Sequence, residues 1–179
     1  MTADRHVLVL GGQRSGKSRF AENLVAASGR RKLYVATAAA RDSEMEARIA
    51  LHRSRRGEGW TTIEEPLDLP AALAKAGEGD ALLVDCLTLW LSNLMEAGKP
   101  IDSETDSLVA ALERSTAAVV LVSNEVGLGI IPANALARRF ADAQGTLNHR
   151  IAEAVGRVVL MAAGRPLLLK PSSAPEIVL

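Results

Sequence analysis

A single cysteine, five aromatic residues and no surplus of either charge sign set the first limits on this 179-residue chain. Cys86 has no partner for an internal disulfide, and without a CxxC pair or a Cys/His cluster a structural zinc site is not expected; both point to a reducing cytosol. Twenty-one Lys and Arg balance 21 Asp and Glu, so no net field exists to hold a polyanion, and neither nucleic acid nor an anionic membrane is an expected partner. Aromatics make up only 3% of the chain, so base stacking is not expected to be the main means of holding a nucleotide. No apolar stretch approaches the ~20 residues of a membrane span. The first apolar run, VLVL at 7–10, is stopped by Gly11 and Gly12, far short of a signal-peptide core. A cytoplasmic protein acting on small molecules is the expectation left standing.

What is present is aliphatic and ordered. Hydrophobic residues form 48% of the chain, enough to close one core from Ala, Val, Leu and Ile. Near-continuous apolar runs at 7–10, 32–37, 81–86, 118–124 and 157–161 read as strands of a sheet covered on both faces, with a weaker strand at 60–65. Between them, segments 18–28, 43–56, 68–76, 106–115 and 134–155 carry apolar residues at helical spacing. The alternation predicts a single α/β domain over 1–179, with a mostly parallel sheet and helices on both faces. Composition marks 96–104 as a surface connection and 171–179 as a loose tail. Trp90 and Leu91 lie in an apolar run too long for one helix face, which suits either burial or a subunit contact.

The strongest chemical signal is GGQRSGKS, Gly11, Gly12, Gln13, Arg14, Ser15, Gly16, Lys17 and Ser18, directly after a predicted strand and before a predicted helix. It satisfies G-x-x-x-x-G-K-[ST], the phosphate loop of P-loop NTPases. Glycines allow close backbone approach, so successive amides and the positive helix end can surround a β-phosphate. Lys17 would reach the β and γ oxygens, and the Ser18 hydroxyl would ligate Mg²⁺. A second carboxylate is needed for the hydrated metal. Asp85, ending the run ALLVD, is the candidate, and it could equally cap the segment LTLWLSNLM that follows. Glu125 ends another strand, where open α/β sheets place their ligands.

Of three histidines, His6 precedes the first strand and His149 lies in the last helical segment. His52 is different: on a helix, Arg48 and Arg56 stand four residues to either side and Arg55 three residues on, so one face presents an imidazole among guanidiniums. Cationic neighbours keep the ring neutral and nucleophilic, and the same arginines would neutralise a phosphate under attack. A solvated basic face carrying an incidental histidine has the same spacing.

Several blocks taken together are specific. GGQRSGKSRFAE, YVATA, EMEARIALHRSRR followed by Trp60 and Glu64, LVDCLTLWLSNLM, VSNEVGLGIIP and ARRFADAQGTLNHRIA run in this order from about position 7 to 170. In this the chain resembles the bifunctional adenosylcobinamide kinase and adenosylcobinamide-phosphate guanylyltransferase family of cobalamin biosynthesis. The resemblance implies two reactions. ATP or GTP would phosphorylate adenosylcobinamide, and GTP would then give GMP to the phosphate through a guanylylated histidine, releasing pyrophosphate. It places that histidine at His52 and the nucleotide contacts at Gly11 to Ser18, Ala36, Thr37, Ala38, Arg53, Ser54, Arg55, Arg56, Glu64 and Asp85. It also implies Mg²⁺ as cofactor, held by Ser18 and Asp85, and a trimeric assembly. Gln13 and His149 depart from the family pattern; the first acts through its backbone amide, and the second lacks the guanidiniums that flank His52. A different small-metabolite kinase without a covalent GMP, or a nucleotide-driven switch, would share the loop and Asp85 alone.

Overall fold

The computed structural model describes residues 2–38 and 57–171. After a 3₁₀ turn, Thr2–Arg5, strand β1 (His6–Gly11) leads through the phosphate loop into α1 (Lys17–Ala27) and β2 (Arg31–Ala36). Then follow β3 (Trp60–Glu64), α2 (Leu69–Ala74), β4 (Asp80–Asp85), α3 (Leu87–Glu96), α4 (Ile101–Arg114), β5 (Ala118–Asn124), α5 (Ala135–Ala154), β6 (Arg157–Ala162) and β7 (Arg165–Lys170). The seven strands form one sheet in the order β3-β2-β4-β5-β1-β6-β7. Every neighbouring pair is parallel except β6 with β7. The expected α/β architecture is therefore present.

Alternate strand residues build two cores, because successive side chains leave a strand on opposite faces. Leu8, Leu10, Leu33, Val35, Leu82, Val84, Val119 and Leu121 pack beneath α2 to α5. Val9, Leu83, Val120 and Val122 face the other way, onto Ala21 and Val25 of α1. Trp90 and Leu91 are fully buried in the first core, with Trp90 Nε1 donating to Leu67 O at 2.8 Å, so burial within the monomer accounts for them. His6 is buried too and bonds Leu112 O through Nε2 at 2.9 Å.

Two sequence expectations need correction. The supposed surface connection at 96–104 is half helix: α4 begins at Ile101, behind Pro100 at its N-cap and with Asp102 and Glu104 in its first turn. Carboxylates there meet the positive helix end, a start signal that polar composition obscured. No strand was expected after β6, yet β7 returns antiparallel through Ala163 and Gly164, both at positive φ (49° and 75°). A tight hairpin with the twist of the sheet needs that backbone. Pro166 is tolerated because β7 is an edge strand. Of the predicted tail, only Pro171 falls within the described residues.

At the N-terminal ends of two interior strands, Arg31 at the start of β2 grips Asp80 at the start of β4 through Nε and Nη2, at 2.7 and 2.9 Å, and Gly77 N donates to the same carboxylate. The Arg31 bonds, then the Gly77 amide, hold the Asp80 carboxyl down to about 2. The sign is that of a depressed acid: its stabilisation is complete above the ordinary carboxylate range and is lost as pH falls from about 4 towards 2. Asp80→Asn is expected to lower Tm at neutral pH by a few degrees and to flatten the fall in urea midpoint between about pH 5 and about pH 2. An unchanged acid profile would show that the pair contributes nothing.

Candidate active site

The C-terminal ends of five adjacent parallel strands supply the site, in the spatial order Glu64, Ala36, Asp85, Asn124 and Gly11. Open parallel sheets bind ligands along this edge, because the loops that follow each strand converge there. Gly11 has its backbone in a conformation where a Cβ would meet Ser15 Oγ at 2.5 Å and Met161 O at 2.8 Å, so only glycine fits. Gly16 is the N-cap of α1 at φ 94°, and Arg14 also takes positive φ (57°). The loop is closed by Ser15 N on Gly12 O at 3.2 Å and braced from outside by Gly164 N on Ser15 O at 3.0 Å. The β6–β7 turn, absent from the sequence reading, therefore buttresses the phosphate loop.

Gly12, Gln13, Arg14 and Gly16 are exposed, whereas Ser15, Lys17 and Ser18 are half-buried, the arrangement of a cradle open on one side. Lys17 Nζ spans the loop and donates to Gly12 O at 3.1 Å. Burial lowers its pKa, with Cys86 and Asp85 acting in the opposite sense. Ser18 Oγ lies 3.5 Å from Asp85 Oδ1, although the two are 67 residues apart in sequence. Asp85 does not cap α3; that N-cap is Cys86, with no side-chain bond, so the capping alternative falls away. Among the described residues no three His, Cys, Asp or Glu side chains gather as a metal cage. One hydroxyl and one carboxylate fit Mg²⁺, which keeps most of its water and completes its shell with phosphate oxygens.

Tyr34, which sequence reading did not single out, donates its hydroxyl to Asp85 Oδ2 at 3.3 Å and fixes the carboxylate from the side away from Ser18. Its ring meets Trp60 edge-on, with centroids 6.3 Å apart. Thr37 is buried rather than lining an open surface: its Oγ1 accepts from Cys86 N and donates to Cys86 O, both at 2.8 Å. Asn93 Nδ2 in turn donates to Thr37 O at 2.8 Å. Through backbone amides and this clamp, the Ala36, Thr37 and Ala38 turn is locked to the end of β4, beside Asp85. Burial, with the Asp85 charge as a second cause, pushes the Cys86 thiol up to about 11, so it is a neutral packing group. Glu64 is exposed one strand further out, opposite Ala36 in the β2–β3 register.

Around β5 a buried polar network was also missed. Gln144 Nε2 donates to Ser123 Oγ and Asn148 Oδ1, Ser123 Oγ donates to Asn148 Oδ1 at 2.7 Å, and Asn148 Nδ2 donates to Asn124 O at 3.0 Å. Asn124 N donates to Thr88 Oγ1 at 2.9 Å. Asn124 thus stands beside Gly11 with its backbone held from both α3 and α5. No local sequence signal announces this, since its members span three elements. Glu125 turns its Oε1 back to Gly127 N at 2.8 Å. His149 is exposed, 3.5 Å from Glu153 Oε1. His52, Arg48, Arg53, Ser54, Arg55 and Arg56 lie outside the described residues.

The loop, Lys17, Ser18 and Asp85 thus meet along one sheet edge, and the sequence comparisons show which family the chain belongs to. The model of the CobU family, cobinamide kinase / cobinamide phosphate guanyltransferase, matches residues 7–169. The chain belongs to this family. It is 51% identical over 166 residues to the bifunctional adenosylcobalamin biosynthesis protein CobP of Pseudomonas aeruginosa, covering 91% of this chain and 96% of that protein. The proteins named CobU from Escherichia coli and Salmonella typhimurium are 39% and 40% identical over 180 residues, each alignment covering 92% of this chain and 99% of the relative. Among solved structures, the RadB recombinase aligns with a TM-score of 0.46 at 15% identity, over 88% of this chain and 74% of that one. No helix among the described residues is long and apolar enough to cross a membrane.

Proposed function

We propose that this member of the family acts in the cytoplasm, as a homotrimer, and phosphorylates adenosylcobinamide and then guanylylates the product. The observation that carries the reading is the junction of an intact phosphate loop with Asp85 across the sheet edge, in a chain the family model spans from 7 to 169. In the first step the terminal hydroxyl oxygen of the aminopropanol arm attacks the γ-phosphorus of ATP or GTP. The bond from that phosphorus to the β,γ-bridging oxygen breaks, the nucleoside diphosphate leaves, and the hydroxyl proton is released. Backbone amides from Gly12 to Ser18 hold the β-phosphate, and Lys17 neutralises charge on the β and γ oxygens. Ser18 and Asp85 would hold Mg²⁺, which would supply further neutralisation of the phosphates.

In the second step a ring nitrogen of His52 attacks the α-phosphorus of GTP and pyrophosphate leaves, giving a phosphoramidate. A phosphate oxygen of adenosylcobinamide phosphate then attacks the same phosphorus, the P–N bond breaks, and adenosylcobinamide-GDP departs from a regenerated imidazole. Splitting the displacement in two suits a neutral histidine beside cations, which Arg53, Arg55 and Arg56 would provide. Ala36, Thr37, Ala38, Ser54 and Glu64 complete the proposed nucleotide contacts.

The test is to follow both products. With adenosylcobinamide, ADP or GDP should accumulate; with adenosylcobinamide phosphate and GTP, pyrophosphate should appear in step with adenosylcobinamide-GDP. Diphosphate without any pyrophosphate would reduce the protein to a P-loop metabolite kinase. Neither product with a corrinoid acceptor would reject the reading.

A further inference from the structure

Resting on that reading, we propose that the apolar stretch 126–136, between β5 and the first turn of α5, seats the macrocycle of the corrinoid acceptor. Nine large apolar side chains are exposed among the described residues, and five of them, Val126, Leu128, Ile130, Ile131 and Leu136, fall in these eleven positions. Leu128, Ile130 and Ile131 are 83%, 98% and 80% exposed. Aliphatic groups left this open lose the free energy of burial, so a cluster of them marks a surface that something covers.

Place and rigidity decide what that is. The stretch starts from the phosphate site itself: Glu125 N donates to Gly11 O at 3.1 Å, and Asn124 is clamped by Thr88 and Asn148. Its far end is tied by Arg138 Nη1 to Pro132 O and Ala133 O, and Asn134 Oδ1 caps α5 by accepting from Ala137 N. Gln144 is the first fully buried residue of α5 and bonds the end of β5. The nine residues before it, about 13 Å of helix, therefore run on past the strand end. An apolar arm braced at both ends thus has its root at the edge where the γ-phosphate would lie.

A phosphoryl acceptor has to be held within contact distance of the γ-phosphorus, and this one carries its hydroxyl on a short arm attached to a wide ring whose faces and methyl groups are apolar and whose rim bears amides. Aliphatic side chains with no polar partner suit the face of such a ring. They leave the hydrogen-bonding edge of a purine without partners. A rigid root then converts docking of the ring into placement of the hydroxyl.

The test compares the parent enzyme with Ile130→Ser/Ile131→Ser and with the conservative Ile130→Val/Ile131→Val. Corrinoid binding is measured by equilibrium ultrafiltration, kinase KM is measured for both substrates, and mass is measured by light scattering. The serine variant is expected to raise the dissociation constant and KM for adenosylcobinamide about tenfold or more, leaving nucleotide KM, kcat at saturation and mass unchanged, while the valine variant stays near the parent. An unchanged corrinoid constant overturns the proposal. So does a fall in mass, which would make the stretch a contact between copies of the chain, and so does an equal rise in both KM values, which would mean a disturbed phosphate loop. If the parent itself neither binds nor phosphorylates adenosylcobinamide, the functional reading falls and this inference with it. If the parent does both and the serine variant matches it, only this inference falls.

Discussion

Lys17→Met is expected to lower kcat/KM for both transfers by a factor of about 10²–10³, the usual cost of removing one preorganised charge-stabilising group. Both reactions fall because both use a triphosphate seated in the same loop. The methionine preserves stem length and packing, so the loss is electrostatic. Stability should move the other way. Burial lowers the pKa of Lys17 against the opposing pull of Cys86 and Asp85, so the folded protein binds that proton less tightly than the unfolded chain. At neutral pH the folded state therefore carries the cost of a partly desolvated ammonium, a cost that declines only as pH rises above the folded pKa. Removing the charge is expected to leave Tm equal or slightly higher, as scanning calorimetry would read. Lost activity with unaltered or raised Tm fits a group placed for the ligand rather than for the fold. A fall of several degrees would mean instead that the bond to Gly12 O stabilises the loop itself.

His52→Ala separates the two activities. The proposed phosphoramidate cannot form without the imidazole, so GTP labelled at the α-phosphorus should leave no acid-labile, base-stable label on the variant, and pyrophosphate release should fall by about 10³ or more, as for loss of a covalent nucleophile. Phosphorylation of adenosylcobinamide, which asks only for the loop, Lys17 and Asp85, should stay within a few-fold of the parent. Label retained at the parent level would put the nucleophile elsewhere, with exposed His149 as the next residue to change. Loss of both activities together would mean that His52 also positions the nucleotide for the kinase step.

The two replacements probe residues that were legible for different reasons. Lys17 belongs to eight consecutive positions whose backbone amides, glycines and helix start act as one local unit, so spacing alone conveys the chemistry. His52 had only a basic helical face to recommend it, and its role rests on the order of blocks along the chain. Asp85 was legible as a carboxylate ending an apolar run, but whether it capped a helix or faced a metal depended on what stood across the sheet edge. Thr37 was carried over as a nucleotide contact, yet its hydroxyl is spent on the backbone of Cys86, 49 residues away. What it positions is the turn, a role that no local pattern reveals.

Sequence by itself determined the alternation of apolar runs, the phosphate loop and the family, because these depend on neighbours in the chain: the side-chain period of a strand, the dihedral freedom of glycine, and the charge at a helix start. Tertiary structure decided the rest. It set Ser18 against Asp85, closed Tyr34 on the same carboxylate and laid the β6–β7 turn against the loop. It also left Leu128, Ile130 and Ile131 outside, where apolar residues are ordinarily drawn in. The reason is the same in each case: strand order brings together residues dozens of positions apart, and a hydrophobic side chain looks alike in sequence whether the core or a ligand is to cover it.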